Sequence, residues 1–137
     1  MKQILCFGDS NTWGYDGESR ERLPWGVRWT SLLQEKLNKE EYRVIEEGLC
    51  GRTTVFPDPL EPGLDAISYL RPCLLSHAPV SLLILMLGTN DTKERFGMNA
   101  FAIGLGMRRL VQRAQSVDCW GPGGRPNILI IAPPIIG

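Results

Sequence analysis

Ile4-Leu5-Cys6-Phe7-Gly8-Asp9-Ser10 starts the chain with four apolar residues halted by a glycine, and the pattern recurs twice. Tyr42-Arg43-Val44-Ile45-Glu46 leads to Gly48 and then Cys50-Gly51. Residues 81–87 lead to Gly88-Thr89-Asn90-Asp91. Short apolar runs closed by turn formers read as β-strands. The run at 81–87 is continuous rather than alternating, as in a parallel strand covered on both faces. A fourth run, 128–131, ends at Pro133-Pro134.

Helical spacings separate these runs. Trp29, Leu32, Leu33 and Leu37 predict a helix within 27–39. Ile67, Leu70, Leu74 and Leu75 predict one within 64–76, with Asp65 in its first turn. Pro72 inside that second stretch predicts a kink or two short helices. Ile103, Met107, Leu110, Val111 and Ala114 mark a third helix over 99–116. Residues 11–24 and 53–63 are rich in polar residues, Gly and Pro and read as loops. Strand and helix alternate, so the fold class is α/β: a single domain over 1–137 built on a doubly wound parallel sheet. Sheets of this kind continue past a fourth strand, so the domain is expected to be C-terminally incomplete.

Composition narrows the partners. Lys+Arg and Asp+Glu both number 15, so the net charge is zero and no basic excess favours nucleic acid. No apolar run is long enough to cross a bilayer, and the few apolar residues between Met1-Lys2-Gln3 and Gly8 are not expected to act as a leader. Cys6, Cys50, Cys73 and Cys119 are too widely spaced for a metal signature and read as reduced thiols of a cytoplasmic protein. Cys50, beside the glycine that ends strand two, reads as a packing residue.

In a parallel sheet the C-terminal ends of the strands share one edge, and ligands bind in the crevice there. Ser10, Gly51 and Asn90 all lie just past such ends. Each alone is an ordinary turn residue. Together they supply a hydroxyl nucleophile and three donors for an oxyanion: the Ser10 N–H, the Gly51 N–H and the Asn90 amide. Asp9 and Trp13 flank the nucleophile and are candidate substrate-binding residues. Trp25 is a further candidate pocket wall, with loop packing an equal alternative for both tryptophans, and Trp29 belongs to the helical stripe. Asp9 and Asp91 as an acid/base pair carry less weight than as turn carboxylates bonded to nearby N–H groups. Gly104-Leu105-Gly106 lies mid-helix without a preceding strand, so it is no dinucleotide site.

Phe7-Gly8-Asp9-Ser10, Cys50-Gly51 and Gly88-Thr89-Asn90-Asp91 resemble blocks I, II and III of the SGNH (GDSL-type) hydrolases. The wider context, including Asn11-Thr12-Trp13-Gly14, Arg52-Thr53-Thr54 and Thr92-Lys93, is similar to their bacterial arylesterases and acyltransferases. The resemblance runs from Met1 to about Pro134. It implies a flavodoxin-like three-layer α/β/α fold and an esterase of short-chain acyl or aryl esters, with Ser10 as nucleophile and Gly51 and Asn90 as oxyanion donors. It requires no metal or organic cofactor.

The family's general base, an Asp-x-x-His string, does not occur in these residues. The one histidine, His77, follows Leu74-Leu75-Ser76 and ends a helix that should enter strand three at the edge opposite the site. A surface or helix-terminal role suits it better than that of a base. A serine without its base loses several orders of magnitude in rate, so these 137 residues alone are expected to be nearly inactive. The base is expected from residues beyond them, and association with that C-terminal piece or with a second copy should follow. The alternative is a catalytically inactive flavodoxin-like binding or assembly module.

Overall fold

The computed structural model describes residues 1–133; Pro134, expected to help stop the fourth strand, lies outside them. Four strands, β1 (Lys2–Gly8), β2 (Tyr42–Gly48), β3 (Leu82–Met86) and β4 (Ile128–Ile130), form one sheet in the order β2-β1-β3-β4. Every pairing is parallel. The helices are α1 (Ser10–Trp13), α2 (Trp29–Lys36), α3 (Ala66–His77) and α4 (Ala100–Gln115). The expected α/β class with a parallel sheet is what the chain adopts.

The two faces of β1 sort its side chains, as strand geometry requires. Ile4 and Cys6 join Val44 and Ile84 under Trp29, Leu33 and Leu37, which come from or follow α2. Leu5 and Phe7 join Leu83, Leu85, Leu70, Leu74, Leu110 and Ala114 in the larger cluster under α3 and α4. Helices thus cover both faces, and the middle strands are apolar from Ile4 to Phe7 and from Leu82 to Met86.

Several expectations need correction. Leu32 is exposed and Thr30 and Ser31 are buried, because Thr30 Oγ1 donates to Glu46 Oε2 at 2.6 Å and Ser31 Oγ to Arg28 O. Polar residues with satisfied bonds take that face of α2 in place of a leucine. On α3 the buried set is Ala66, Leu70, Cys73 and Leu74, with Leu75 outside. Pro72 neither breaks nor splits α3. Pro72 and Ser68, whose carbonyl loses its partner there, are both exposed, so that carbonyl remains open to solvent. Asp65 is the N-cap of α3, its carboxylate accepting from Ser68 N at 3.2 Å. Residues 11–13, expected as loop, belong to a single helical turn that starts at Ser10. Cys50 is exposed, unlike the other three cysteines.

Candidate functional site

The ends of the three strands are level. Gly8 pairs with Gly48 on one side and Met86 on the other. Ser10, Gly51 and Asn90 follow those ends by two, three and four residues, so all three turns leave from one edge.

Behind β1 the chain enters α1 at once. Asp9 is the N-cap: its Oδ1 accepts from Asn11 N at 3.0 Å, and its carbonyl accepts from Thr12 N and Trp13 N. Ser10 is therefore the first residue of a helical turn, half-buried. Two glycines allow this turn to press onto the sheet. A Cβ on Gly8 would lie 2.2 Å from Thr12 Oγ1, and one on Gly48 would lie 2.3 Å from Trp13 N.

The turn behind β2 closes with Arg52 N donating to Leu49 O at 3.2 Å. Gly51 sits at φ +84°, the left-handed region that L side chains avoid. Arg52 is buried, its guanidinium 4.2 Å from the Phe7 ring centroid and 5.3 Å from that of Tyr69. Its Nη1 donates to Gly8 O at 3.0 Å and Glu47 O at 2.7 Å.

The turn behind β3 reaches across to the same place. Asn90 Nδ2 donates to Arg52 O at 3.1 Å, which seats the amide beside the residue that follows Gly51. Asp91, wholly buried, accepts from Thr54 N (3.2 and 3.1 Å) and from Thr54 Oγ1 (2.6 Å). Its partners lie in a distant loop rather than nearby in the chain, so Asp91 is a strut between loops. Arg52 and Asp91 together tie the loops behind β1, β2 and β3 into one unit. Among the described residues, neither the Ser10 N–H nor the Gly51 N–H is taken up by another group.

Asp9 is 1% exposed, and its Oδ2 has no hydrogen-bond partner among the described residues. Burial, reinforced by the Asp91 charge, pushes its carboxyl above the ordinary range against the bond from Asn11 N. Trp13 ends α1 half-buried, with the Arg22 guanidinium 5.0 Å from its ring and Arg22 Nε donating to its carbonyl. Trp25 is exposed. Trp29 packs against the core cluster beneath α2. His77 is held at the α3 terminus: its carbonyl accepts from Gln3 Nε2, and its Nε2 lies 2.8 Å from Glu47 Oε1.

Arg52 is the residue whose role the sequence did not disclose. A single arginine between a turn glycine and two threonines gives no sign that three loops will close on it. The Asp58–Arg95 pair was equally silent. Arg95 Nη2 donates to Asp58 Oδ2 at 2.5 Å and holds that carboxyl below its ordinary range.

Comparison with known proteins follows the same lines. The sequence matches the GDSL-like lipase/acylhydrolase family over residues 6–136. No curated protein matches the chain. Among solved structures, an inhibitor-bound aryl esterase of Mycobacterium smegmatis is 44% identical with a TM-score of 0.87. That alignment covers 98% of this chain and 65% of the other. A carbohydrate acetylesterase family member from Sinorhizobium meliloti is 41% identical with a TM-score of 0.89, over 98% and 63%. A lipolytic G-D-S-L family member from Veillonella parvula, 22% identical with a TM-score of 0.62 over 95% and 57%, shares the fold. The chain spans a little under two thirds of the length of these relatives.

Proposed function

The chain belongs to the GDSL-like lipase/acylhydrolase family, and from that premise we propose that it is a serine esterase of short-chain acyl or aryl esters working through an acyl-enzyme. Ser10 Oγ attacks the ester carbonyl and gives its proton to a base. The tetrahedral oxyanion is held by the Ser10 N–H, the Gly51 N–H and the Asn90 amide. Its collapse expels the alcohol, and water or a second alcohol then takes the acyl group from Ser10. The aryl esterase and acetylesterase named above support small esters as the substrate class.

The observation that carries this reading is the bond from Asn90 Nδ2 to Arg52 O at 3.1 Å. It brings an amide donor beside Gly51, in the unit that Arg52 also ties to the carbonyl two residues ahead of Ser10. His77, engaged with Glu47, is not the base in this scheme. An Asp/His pair from outside these 137 residues takes the serine proton. Trp13 shields the acyl group from water, so Trp13→Ala should lower the ratio of acyl transfer to hydrolysis; an unchanged ratio removes Trp13 from the pocket. Four unpaired cysteines fit a cytoplasmic setting.

The test is turnover of p-nitrophenyl acetate by the 137 residues alone and with the downstream part of the gene product restored. The esterase reading expects near-zero turnover alone, restored turnover in the longer protein, and none after Ser10→Ala. A longer protein that binds ligands at the strand edge without turnover would establish the binding-module alternative.

A further inference from the structure

Glu47, Cys73 and His77 converge on the α3 side of the sheet, outside the trio just described. One donor atom from each, the Glu47 carboxylate oxygen, Cys73 Sγ and His77 Nε2, lies within 4.8 Å of the other two. Cys73 and His77 stand four apart on α3, one turn of helix, so both project from the same side. Glu47 comes from β2, opposite Phe7. Two regular elements therefore supply the three donors, which fixes their mutual positions better than a loop would.

We propose that these three side chains bind a divalent transition-metal ion, with zinc the best match. Thiolate, imidazole and carboxylate are the ligand types Zn²⁺ takes, at about 2.3, 2.0 and 2.0 Å. Tetrahedral placement at those lengths sets the donors roughly 3.3–3.6 Å apart. The present 2.8 Å between His77 Nε2 and Glu47 Oε1 opens by about half an ångström, and the other two separations, each within 4.8 Å, close by at most about 1.3 Å. Side-chain rotation covers both changes.

Charge and access fit as well. Carboxylate and thiolate neutralise a dication, which leaves buried Arg52 facing no net positive charge. Binding releases the Cys73 thiol proton to the buffer. Tyr69 OH donates to both Glu47 oxygens at 3.3 and 3.2 Å, an outer contact that orients the carboxylate. Cys73 is 1% exposed, but the side chains of His77 and Glu47 are 27% and 20% exposed, and a cleft of about 300 Å³ opens over Glu47, Arg52 and Tyr69. An ion would reach the site past the partly exposed side chains of Glu47, which lines that cleft, and His77, and water would take the fourth position. The bound ion would staple β2 to α3, four residues ahead of Gly51. A bare His–Glu ion pair needs no thiol at its side, and the i, i+4 cysteine is what separates a ligand set from such a pair.

The test is Co²⁺ titration of the reduced protein in a Cys50→Ser background, which removes the exposed thiol as a competing ligand. The proposal expects a thiolate-to-cobalt charge-transfer band saturating at one equivalent, bleached by Zn²⁺ and absent in Cys73→Ser. Should Cys73→Ser not fold, His77→Ala and Glu47→Gln, both at partly exposed positions, decide by calorimetric Zn²⁺ titration. Each should weaken binding by at least about tenfold. No band in the background protein, a band that survives Cys73→Ser, or unchanged Zn²⁺ affinity in both His77→Ala and Glu47→Gln would overturn it.

Discussion

Asp9 lies next to Ser10 and carries a carboxylate that is costly to bury. Burial raises its carboxyl pKa, so the folded chain holds the proton more tightly than the unfolded chain. That stabilisation is complete below the unfolded value of about 3.9 and is lost as pH rises through the higher folded value. Asparagine retains an oxygen to cap Asn11 N and carries no charge to bury. Asp9→Asn should therefore raise the thermal midpoint at pH 7 and leave it nearly unchanged at pH 3; thermal melts at the two pH values check this, and a larger gain at the acidic end refutes it. Asn90 has a different burden. The proposed oxyanion role predicts that Asn90→Ala, in the protein with its downstream part restored, lowers kcat by about 10²–10³ while KM moves little. A purely structural Asn90, bonded to Arg52 O and nothing else, would show its loss in the melting curve instead. The shared position of Ser10, Gly51 and Asn90 at one sheet edge was legible in the sequence because each follows an apolar run ended by glycine. Asp9 was legible only as a turn carboxylate, since nothing in the letters says that its second oxygen is sealed from partners.

The loops behind β1, β2 and β3 act as one piece because Arg52 and Asp91 fasten them. Removing the guanidinium takes a charged donor from Glu47 O and from Gly8 O, which keeps Leu49 N at 3.2 Å, and hydrogen bonds to charged groups contribute about 1.5–3 kcal/mol each. Arg52→Met should thus destabilise the fold by roughly 2–4 kcal/mol, read from urea denaturation; a loss below the scatter of exposed-site variants would show that Arg52 does not brace the loops. Gly48→Ala tests the seating of α1. Its Cβ would meet the backbone of Trp13, which no rotamer change relieves. The variant should melt earlier and lose more activity than stability, because α1 carries Ser10. Strand and helix positions were readable from periodicity. The exceptions share a physical origin. Thr30 displaced Leu32 from the buried face through its hydrogen bond to Glu46, a partner set by tertiary contact, helped by the local bond from Ser31 to Arg28 O. Pro72 was tolerated in α3 because its side of the helix faces water. Neither circumstance is written in local spacing.

Across the molecule, helices cover both faces of the sheet, yet β4 stands at its edge with Leu129 and Ile130 about half exposed. Open strand edges pair readily. We propose that the 137-residue chain self-associates through this edge at micromolar concentration. Sedimentation velocity should show a dimer that Leu129→Lys converts to monomer, and a parent that sediments as a monomer contradicts the proposal. The parallel sheet and the shared edge were legible in sequence, because strand and helix alternate, whereas the strand order emerged only from the fold. The polar cross-links were not, because they join residues dozens of positions apart. The account as a whole rests on Ser10 being a nucleophile served by Gly51 and Asn90. Reaction of the chain with an alkyl fluorophosphonate, with imidazole added as a surrogate base, followed by intact mass and peptide mapping, tests that most directly. A single adduct on Ser10, faster with imidazole, absent in Ser10→Ala and slowed in Asn90→Ala, is the predicted result. Labelling that survives Ser10→Ala, or maps to exposed Cys50 or elsewhere, would contradict it.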